Sequence, residues 1–306
     1  MLRTLLMLAA LFSLIAEPLL HAIRRLSGKS PIAAELKSAD WEAVPVALSD
    51  RAFFTATITE MEFLDTAAQQ IRDAVGMTRR TLADGSTGAF QTREKFVAEL
   101  QSIAERKGLA PADPALQGTI ADVTTPARLE MIYDINTRSA QEFGRWKMEQ
   151  NAAVLNAYPA QELVRIAERD VPRGFRRGAE GALVVKPGDS WPERWVTAGG
   201  TLVQGRMVAL KSDPVWHEIS RFSVPWPPFD FNSGYGLEDV DRAAAEALGL
   251  LGPDDVVEPQ TEAFNARMQA SVSNLSPRAQ QSLKAIFGDQ VEITDGVAQW
   301  RGKAAA

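Results

Sequence analysis

The segment 225–236, P-W-P-P-F-D-F-N-S-G-Y-G, constrains the fold of this chain more than any other stretch. Its prolines lack a backbone donor and its glycines favour turns, so it cannot form a helix or a regular strand. Four of its twelve residues are aromatic, and such side chains are large apolar surfaces that a soluble fold buries. We therefore predict an irregular but ordered loop. Four tryptophans lie close to it in the sequence, within a window of 36 residues: Trp191, Trp195, Trp216 and Trp226.

The first half of the chain has helical periodicity. Apolar residues recur every three or four positions over 54–75, which predicts a helix that stops at Gly76 and is followed by a loop over 76–88. A second helix is predicted over 92–107, with Gly108 ending it, and 108–125 is predicted to be a connector. Thr125-Pro126 is a capping hydroxyl followed by proline, and predicts the start of a third helix that extends as far as Ala153.

The second half mixes short elements. We predict a helix over 160–169, strands at 182–185 and 201–203, and a helix capped by Asp239 that ends near Gly249. Further helices are predicted over 261–271 and 276–287. Asp295-Gly296, between two short apolar runs, predicts a terminal β-hairpin over 291–300.

These elements indicate the α+β class, with a helix-rich N-terminal half and an irregular Trp- and Pro-rich C-terminal half that ends in short strands and a hairpin. Four regions follow from the pattern. They are an apolar N-terminal helix or mis-assigned start (1–25), a helical region (26–158), an α+β core (159–252) and a tail of helices and a β-hairpin (253–306).

The composition and the missing motifs argue against several kinds of site and function. The absence of cysteine excludes disulfides, thiolate metal sites and cysteine nucleophiles. The formal net charge is −6, which argues against a protein whose main task is to coat nucleic acid. The chain has no glycine-rich phosphate loop and no G-x-S-x-G nucleophile motif.

One of the two histidines, His217, stands beside acidic residues. His217-Glu218 resembles the start of a zinc-protease motif, but position 221 is Arg221 instead of a second histidine. Asp213, His217 and Glu218 leave open a hydrolase or transferase site, whereas a satisfied, half-buried histidine is the simpler interpretation. We predict that the protein is not an enzyme and has no cofactor or metal.

Two clusters of charged residues are candidate binding sites. Four acidic residues lie in or just after the segment 225–236: Asp230, Glu238, Asp239 and Asp241. They do not have the spacing of a calcium-binding EF-hand, so helix capping and solvation are the favoured interpretations. The second cluster, within 165–177, is rich in arginine, which suits phosphate and carboxylate recognition. Its members Arg173, Arg176 and Arg177 are candidates for anion or DNA contact, although nearby carboxylates favour a salt-bridged surface.

The N-terminus has a positive start and an apolar run over 4–16 that Glu17-Pro18 interrupts. The run is too short for a membrane span, and no small-x-small cleavage site follows it. The alternatives are an export or anchoring address in residues 1–25, a buried or partner-binding helix, or a start codon placed too far upstream. We do not expect a membrane protein.

Residues 207–250 resemble the C-terminal signature of the phage Mu F-like minor head proteins. In that family a D-P-F-W motif is followed by a P-P-N-G loop, and this chain has D-P-V-W at Asp213, Pro214, Val215 and Trp216. The matching loop is P-P-F-D at Pro227, Pro228, Phe229 and Asp230. The segment 128–147, with N-T-R at Asn136, Thr137 and Arg138, is similar to the family's central helix, and 22–54 to its N-terminal region.

The resemblance implies a minor virion protein in a few copies per head, needed for head morphogenesis in a phage or prophage. It implies a place near the portal in the capsid interior, and the host cytoplasm during assembly. The portal protein, and scaffold or major capsid protein, are the partners expected from it. The family's R-T-x-x-H element and C-R-C ending are missing here, which indicates a divergent branch, and the family brings no catalytic residues.

Overall fold

A computed structural model describes residues 17–31, 52–53, 55, 58–84, 92–167, 171, 175–177, 182–185, 188, 190–260, 269–271, 291–294 and 297–300. Helices dominate the first half and short strands the second, so the predicted α+β class is confirmed. The helices are α1 (residues 17–27), α2 (Met61–Asp84), α3 (Arg93–Arg106), α4 (Pro126–Glu149), α5 (Ala152–Ala157), α6 (Trp191–Thr197), α7 (Val215–Glu218) and α8 (Arg242–Ala247). The strands are β1 (Ser30–Pro31), β2 (Ala52–Phe53), β3 (Ala160–Arg165), β4 (Phe175–Arg177), β5 (Leu183–Val185), β6 (Val208–Leu210), β7 (Tyr235–Val240), β8 (Gln269–Ser271), β9 (Val291–Thr294) and β10 (Val297–Trp300).

The chain divides into two compact units, Met1–Gly144 with Glu262–Ala306, and Arg145–Thr261. In the first unit, apolar side chains of α1, α2, α3 and α4 form one buried cluster. Helix α1 belongs to this cluster through Ala22 and Leu26. It also crosses α4 at Gly144, where an added Cβ would lie 2.0 Å from the carbonyl oxygen of Pro18. Glycine at this position therefore allows the two backbones to touch.

The predicted boundaries of α2 are wrong. The helix starts at Met61, and before it the Ile58 N–H donates to the Thr55 carbonyl at 3.1 Å. It also continues through Gly76 to Asp84, where a stop and a loop were predicted. Glycine costs a helix only about 1 kcal/mol relative to alanine, so it does not by itself end one.

The other two helices of this half agree with the sequence prediction. Thr92 caps α3 by accepting from the Lys95 N–H at 3.3 Å, and Gly108 follows the helix with φ +64°. Helix α4 starts at Pro126, as the Thr125-Pro126 pair predicts. It ends at Glu149 and not at Ala153, because Asn151 caps the separate helix α5.

The second unit is built on a three-stranded antiparallel sheet in the order β6-β3-β7. Its central strand β3 occupies residues for which a helix over 160–169 was predicted, so that prediction is wrong. Pairing decides the outcome, because β3 is matched residue by residue with β7 from Ala160↔Val240 to Arg165↔Tyr235. Since β7 extends to Val240, the helix that follows is capped by Asp241 and not by Asp239.

Strand β5 confirms the short strand predicted at 182–185, whereas at 201–203 only Val203 forms a bridge, with Arg206. In the tail, β8, β10 and β9 form a second antiparallel sheet. The predicted hairpin is confirmed, because Thr294 pairs with Val297. Residues 269–271 are a strand and not the end of a helix, and the helix predicted over 276–287 lies outside the described residues. Within the described part of the chain, no helix has the length and apolar character to cross a bilayer.

Candidate interaction core: the aromatic loop and its carboxylate

The aromatic loop (residues 221–234) is the packing centre of the second unit. Residues 224–230 are all buried, as the prediction of an ordered irregular segment requires. The Phe229 ring stacks on Trp216, with centroids 6.1 Å apart, and Trp216 meets Trp195 edge-on at 5.0 Å. The two sequence motifs that carry the family resemblance are thus in contact through Trp216 and Phe229.

The D-P-V-W motif builds a helix start that aims Trp216 into this core. An Asp213 carboxylate oxygen accepts a hydrogen bond from the Val215 N–H at 2.8 Å, and Pro214 stands at the cap position with φ −58°. The indole N–H of Trp216 donates to the Leu210 carbonyl at 2.8 Å. Each member of the motif therefore has a structural task, and Asp213 positions Trp216 through the backbone.

The carboxylate of Asp230 holds the loop to its surroundings. It is buried, and it accepts from Arg194 of α6 at 2.7 Å and from Arg221 at 3.2 Å. Its own chain contributes the Phe231 N–H at 2.7 Å, while Arg194 also donates to the Ile219 carbonyl. A buried carboxylate is tolerated where it is paired and hydrogen-bonded, and both conditions hold here.

Tight backbone turns surround this carboxylate. The Pro227-Pro228 peptide bond is cis, and Ser223 and Asn232 have positive φ angles of 53° and 47°. At Gly234, φ is +68° and an added Cβ would lie 2.9 Å from the Ala167 carbonyl oxygen. The loop therefore follows a path that regular secondary structure could not, as its proline and glycine content predicts.

His217 lies at the edge of this core, with Nδ1 at 3.2 Å from the Ser223 carbonyl oxygen. Burial lowers the pKa of His217 below 6.5, while the Ser223 contact and the charge of Glu218 act in the opposite direction. Asp213 is engaged with the Val215 N–H, and Glu218 is exposed. His217 is therefore a half-buried residue with a contact to the backbone.

The acidic residues considered for a calcium site have different interaction partners. Asp230 pairs with arginines, and Asp241 caps α8 by accepting from the Ala244 N–H at 2.8 Å. Asp239 pairs with Lys211 at 2.7 Å. Among the residues that the structure describes, no group of three or more histidine or acidic side chains could hold a metal ion.

The N-T-R element lies on α4, and two of its side chains bond to backbone carbonyls of that helix. The Asn136 side chain donates to the Ile132 carbonyl and the Thr137 hydroxyl to the Tyr133 carbonyl, both at 2.8 Å. Arg138 is half-buried on the same helix, in the first unit. It therefore belongs to a different unit from the aromatic loop.

The arginine cluster is described only in part. Arg177 is exposed at the end of β4, Arg176 lies on the same strand, and Arg173 lies outside the described residues. The guanidinium of Arg165 stacks over the Tyr235 ring at 4.8 Å, so that this member has a packing contact. Anion contact by the other three arginines stays a prediction.

Sequence reasoning missed the ion pairs that fix this unit. Lys211 is buried, and its ammonium group lies 2.7 Å from Asp239 and 3.1 Å from Glu149. Arg145 contacts the same two carboxylates at 3.4 and 2.7 Å. Both partners of Lys211 lie far away in the sequence and leave no local signal, and only the apolar environment of Lys211, in M-V-A-L-K, gives a hint.

Comparisons of this chain with models of known protein families, with curated proteins and with solved structures find no match.

Proposed function

We propose that this chain is a minor phage head protein that acts in head morphogenesis, near the portal and inside the capsid, through its interfaces and not through catalysis. The proposal comes from the resemblance of its D-P-V-W and P-P-F-D motifs to the phage Mu F-like family. The contact between Trp216 and Phe229, one from each motif, is the observation that supports it best. Two residues from separate motifs, both singled out by the resemblance, meet in one buried core.

The aromatic core gives both motifs a structural role that requires no catalysis. Asp213 starts the helix that places Trp216, and Asp230 fixes the loop that places Phe229. A minor head protein has to present a fixed surface to its partners, and a rigid core keeps the surface residues in place. In this proposal the portal protein, with scaffold or major capsid protein, contacts the outside of the folded units.

The first test is mass spectrometry of capsids purified from the induced source strain, quantified against the major capsid protein. Peptides of this chain at a small fraction of capsid abundance are the expected result. Peptides found only in immature heads would identify a transient assembly factor. Absence from both mature and immature heads would contradict the proposal.

A second test uses the core itself. Trp216→Ala removes a fully buried indole, which costs about 3–5 kcal/mol. We expect the variant to lose its fold and to be missing from heads, whereas Val196→Ser, at an exposed position of α6, should be packaged normally. A folded Trp216→Ala protein that enters heads as well as the wild type would show that the core has another purpose.

A further inference from the structure

Among the described strands, β7 pairs only with β3, so it forms one edge of the sheet β6-β3-β7. Backbone groups in an antiparallel pair alternate in direction, so every second residue of β7 turns its N–H and C=O away from β3. The hydrogen bond from the Ile166 N–H to the Gly234 carbonyl, together with the register of the two strands, fixes which residues these are. The residues of β7 whose backbone groups face the outer edge are Tyr235, Leu237 and Asp239.

The open part of this edge is short. At one end, the Tyr235 N–H already donates to the Ser233 hydroxyl at 3.3 Å. At the other end, the strand stops before Asp241, which caps α8. Between them, no hydrogen bond within the described part of the chain uses the outward backbone groups of Leu237 or Asp239. Leu237 is half-buried and Asp239 is exposed, and together they offer two donors and two acceptors to an added strand.

The side chain between these two residues is Glu238, which is exposed. In the register of β3 and β7 it lies directly opposite Glu162, and like charges at such positions repel each other. Arg206 serves Glu162, with its Nε 3.0 Å from the Glu162 carboxylate. The pKa of Arg206 is raised chiefly by this bond, and the charge of Glu238 contributes less. Two carboxylates thus share this guanidinium, and this face of the edge keeps an exposed negative charge.

We propose that an extended, basic polypeptide segment adds to β7 as a fourth strand and sets a lysine or arginine opposite Glu238. Strand addition takes its affinity from main-chain hydrogen bonds and its specificity from alternate side chains. Here the main-chain bonds come from Leu237 and Asp239. The residue opposite Glu238 lies on the same face as Glu162, where both carboxylates stabilise a cation. This inference goes beyond the proposed function and does not depend on it.

A second copy of β7 is a poorer occupant of this edge. If two β7 strands paired through their Leu237 and Asp239 groups, the Glu238 side chains of the two copies would lie opposite each other. Charged side chains on an exposed edge are a common barrier to such pairing between copies. A basic segment meets no such barrier, so the charge of Glu238 selects the occupant.

Amide hydrogen exchange of the full chain, resolved to single residues, tests the proposal. The probe is the peptide Thr-Thr-Val-Lys-Val-Thr-Thr with blocked ends, and its control has glutamate in place of lysine. In the protein alone, the Glu238 amide should exchange slowly because it bonds to β3, whereas the amides of Leu237 and Asp239 should exchange fast. The lysine peptide at saturation should slow the exchange of Leu237 and Asp239 at least about tenfold, and the glutamate peptide should not.

Two substitutions at Leu237 separate strand addition from other kinds of binding. Leu237→Pro removes the outward N–H, and proline is tolerated on an edge strand where the N–H faces solvent. Leu237→Ala also loses the leucine side chain but keeps the N–H. The proline variant should lose the protection of Asp239 by the lysine peptide, and the alanine variant should keep it.

Glu238→Lys tests the charge selection with the backbone unchanged, so it decides even if the proline variant does not fold. We expect this variant to prefer the glutamate peptide over the lysine peptide, because the favourable charge pair is then reversed. An unchanged preference for the lysine peptide would show that Glu238 does not select the occupant.

Three further results would overturn the inference. One is slow exchange at both Leu237 and Asp239 in a dilute solution of the chain alone, because the edge would then be closed already. Another is a lysine peptide that protects neither amide, or protects them no better than the glutamate peptide. The third is protection that grows with protein concentration in the absence of peptide, because it would assign the edge to a second copy.

Discussion

At the residue scale, Asp230 is the side chain on which the aromatic loop depends. Asp230→Asn removes the charge that two guanidinium groups share, and Arg194 is left partly buried without its carboxylate. Hydrogen bonds to charged groups contribute about 1.5–3 kcal/mol, so we expect a loss of about 2–3 kcal/mol in the free energy of unfolding. Urea unfolding followed by tryptophan fluorescence measures this loss.

The exposed pair of Arg93 and Asp134 is the matched control for Asp230. Both of its side chains are about half exposed, and exposed ion pairs contribute between about 0 and 1 kcal/mol. Asp134→Asn should therefore change stability much less than Asp230→Asn. Equal effects from the two substitutions would mean that burial of Asp230 does not strengthen its ion pairs.

His217 gives the fold a pH dependence with a defined sign. Because burial lowers its pKa below 6.5 in the folded protein, the unfolded chain binds a proton more readily. The stabilisation from neutral His217 is therefore complete above about pH 6.5 and is lost as the pH falls from there through the folded-state pKa. Urea midpoints between about pH 5.5 and 7.5 should show this slope in the wild type and less of it in His217→Gln. Identical slopes would exclude His217 as its source.

At the element scale, short sequence patterns correctly predicted the helices and the hairpin that neighbouring residues determine. The helical periodicity over 92–107, the Thr125-Pro126 start and the Asp295-Gly296 hairpin signal place α3, α4 and β9–β10, because neighbouring residues decide those structures. Strand β3 was missed because its partners lie far along the chain, on β6 and β7. The residues of the aromatic core could be named from sequence, whereas the arginines that hold Asp230 could not, since Arg194 lies 36 residues away.

Two helical glycines give a paired prediction at this scale. A Cβ at Gly144 would collide with the backbone of Pro18, whereas one at Gly76 would meet nothing within 4 Å. Gly144→Ala should push α1 away from α4 and destabilise the first unit. Gly76→Ala should be neutral or stabilise it by up to about 1 kcal/mol, since alanine favours helix. Thermal unfolding followed by circular dichroism separates the two, and a harmless Gly144→Ala would refute the close crossing.

At the scale of the whole molecule, the described part of the N-terminal region belongs to the fold. Helix α1 contributes Ala22 and Leu26 to the core of the first unit, and the Arg25 guanidinium lies over the Phe143 ring at 4.5 Å. A protein without these residues would lose the apolar contacts that Ala22 and Leu26 make in that core.

Two truncations turn this into a prediction. A version that begins at residue 17 keeps α1 and is the reference for the loss of that helix. A version that begins at residue 28 loses α1, and the exposed core should cost more than the roughly 2–5 kcal/mol of a single leucine truncation. Circular dichroism during urea unfolding should therefore show a broadened or absent transition for the shorter version only. If both versions unfold alike, α1 adds nothing to the stability of that core.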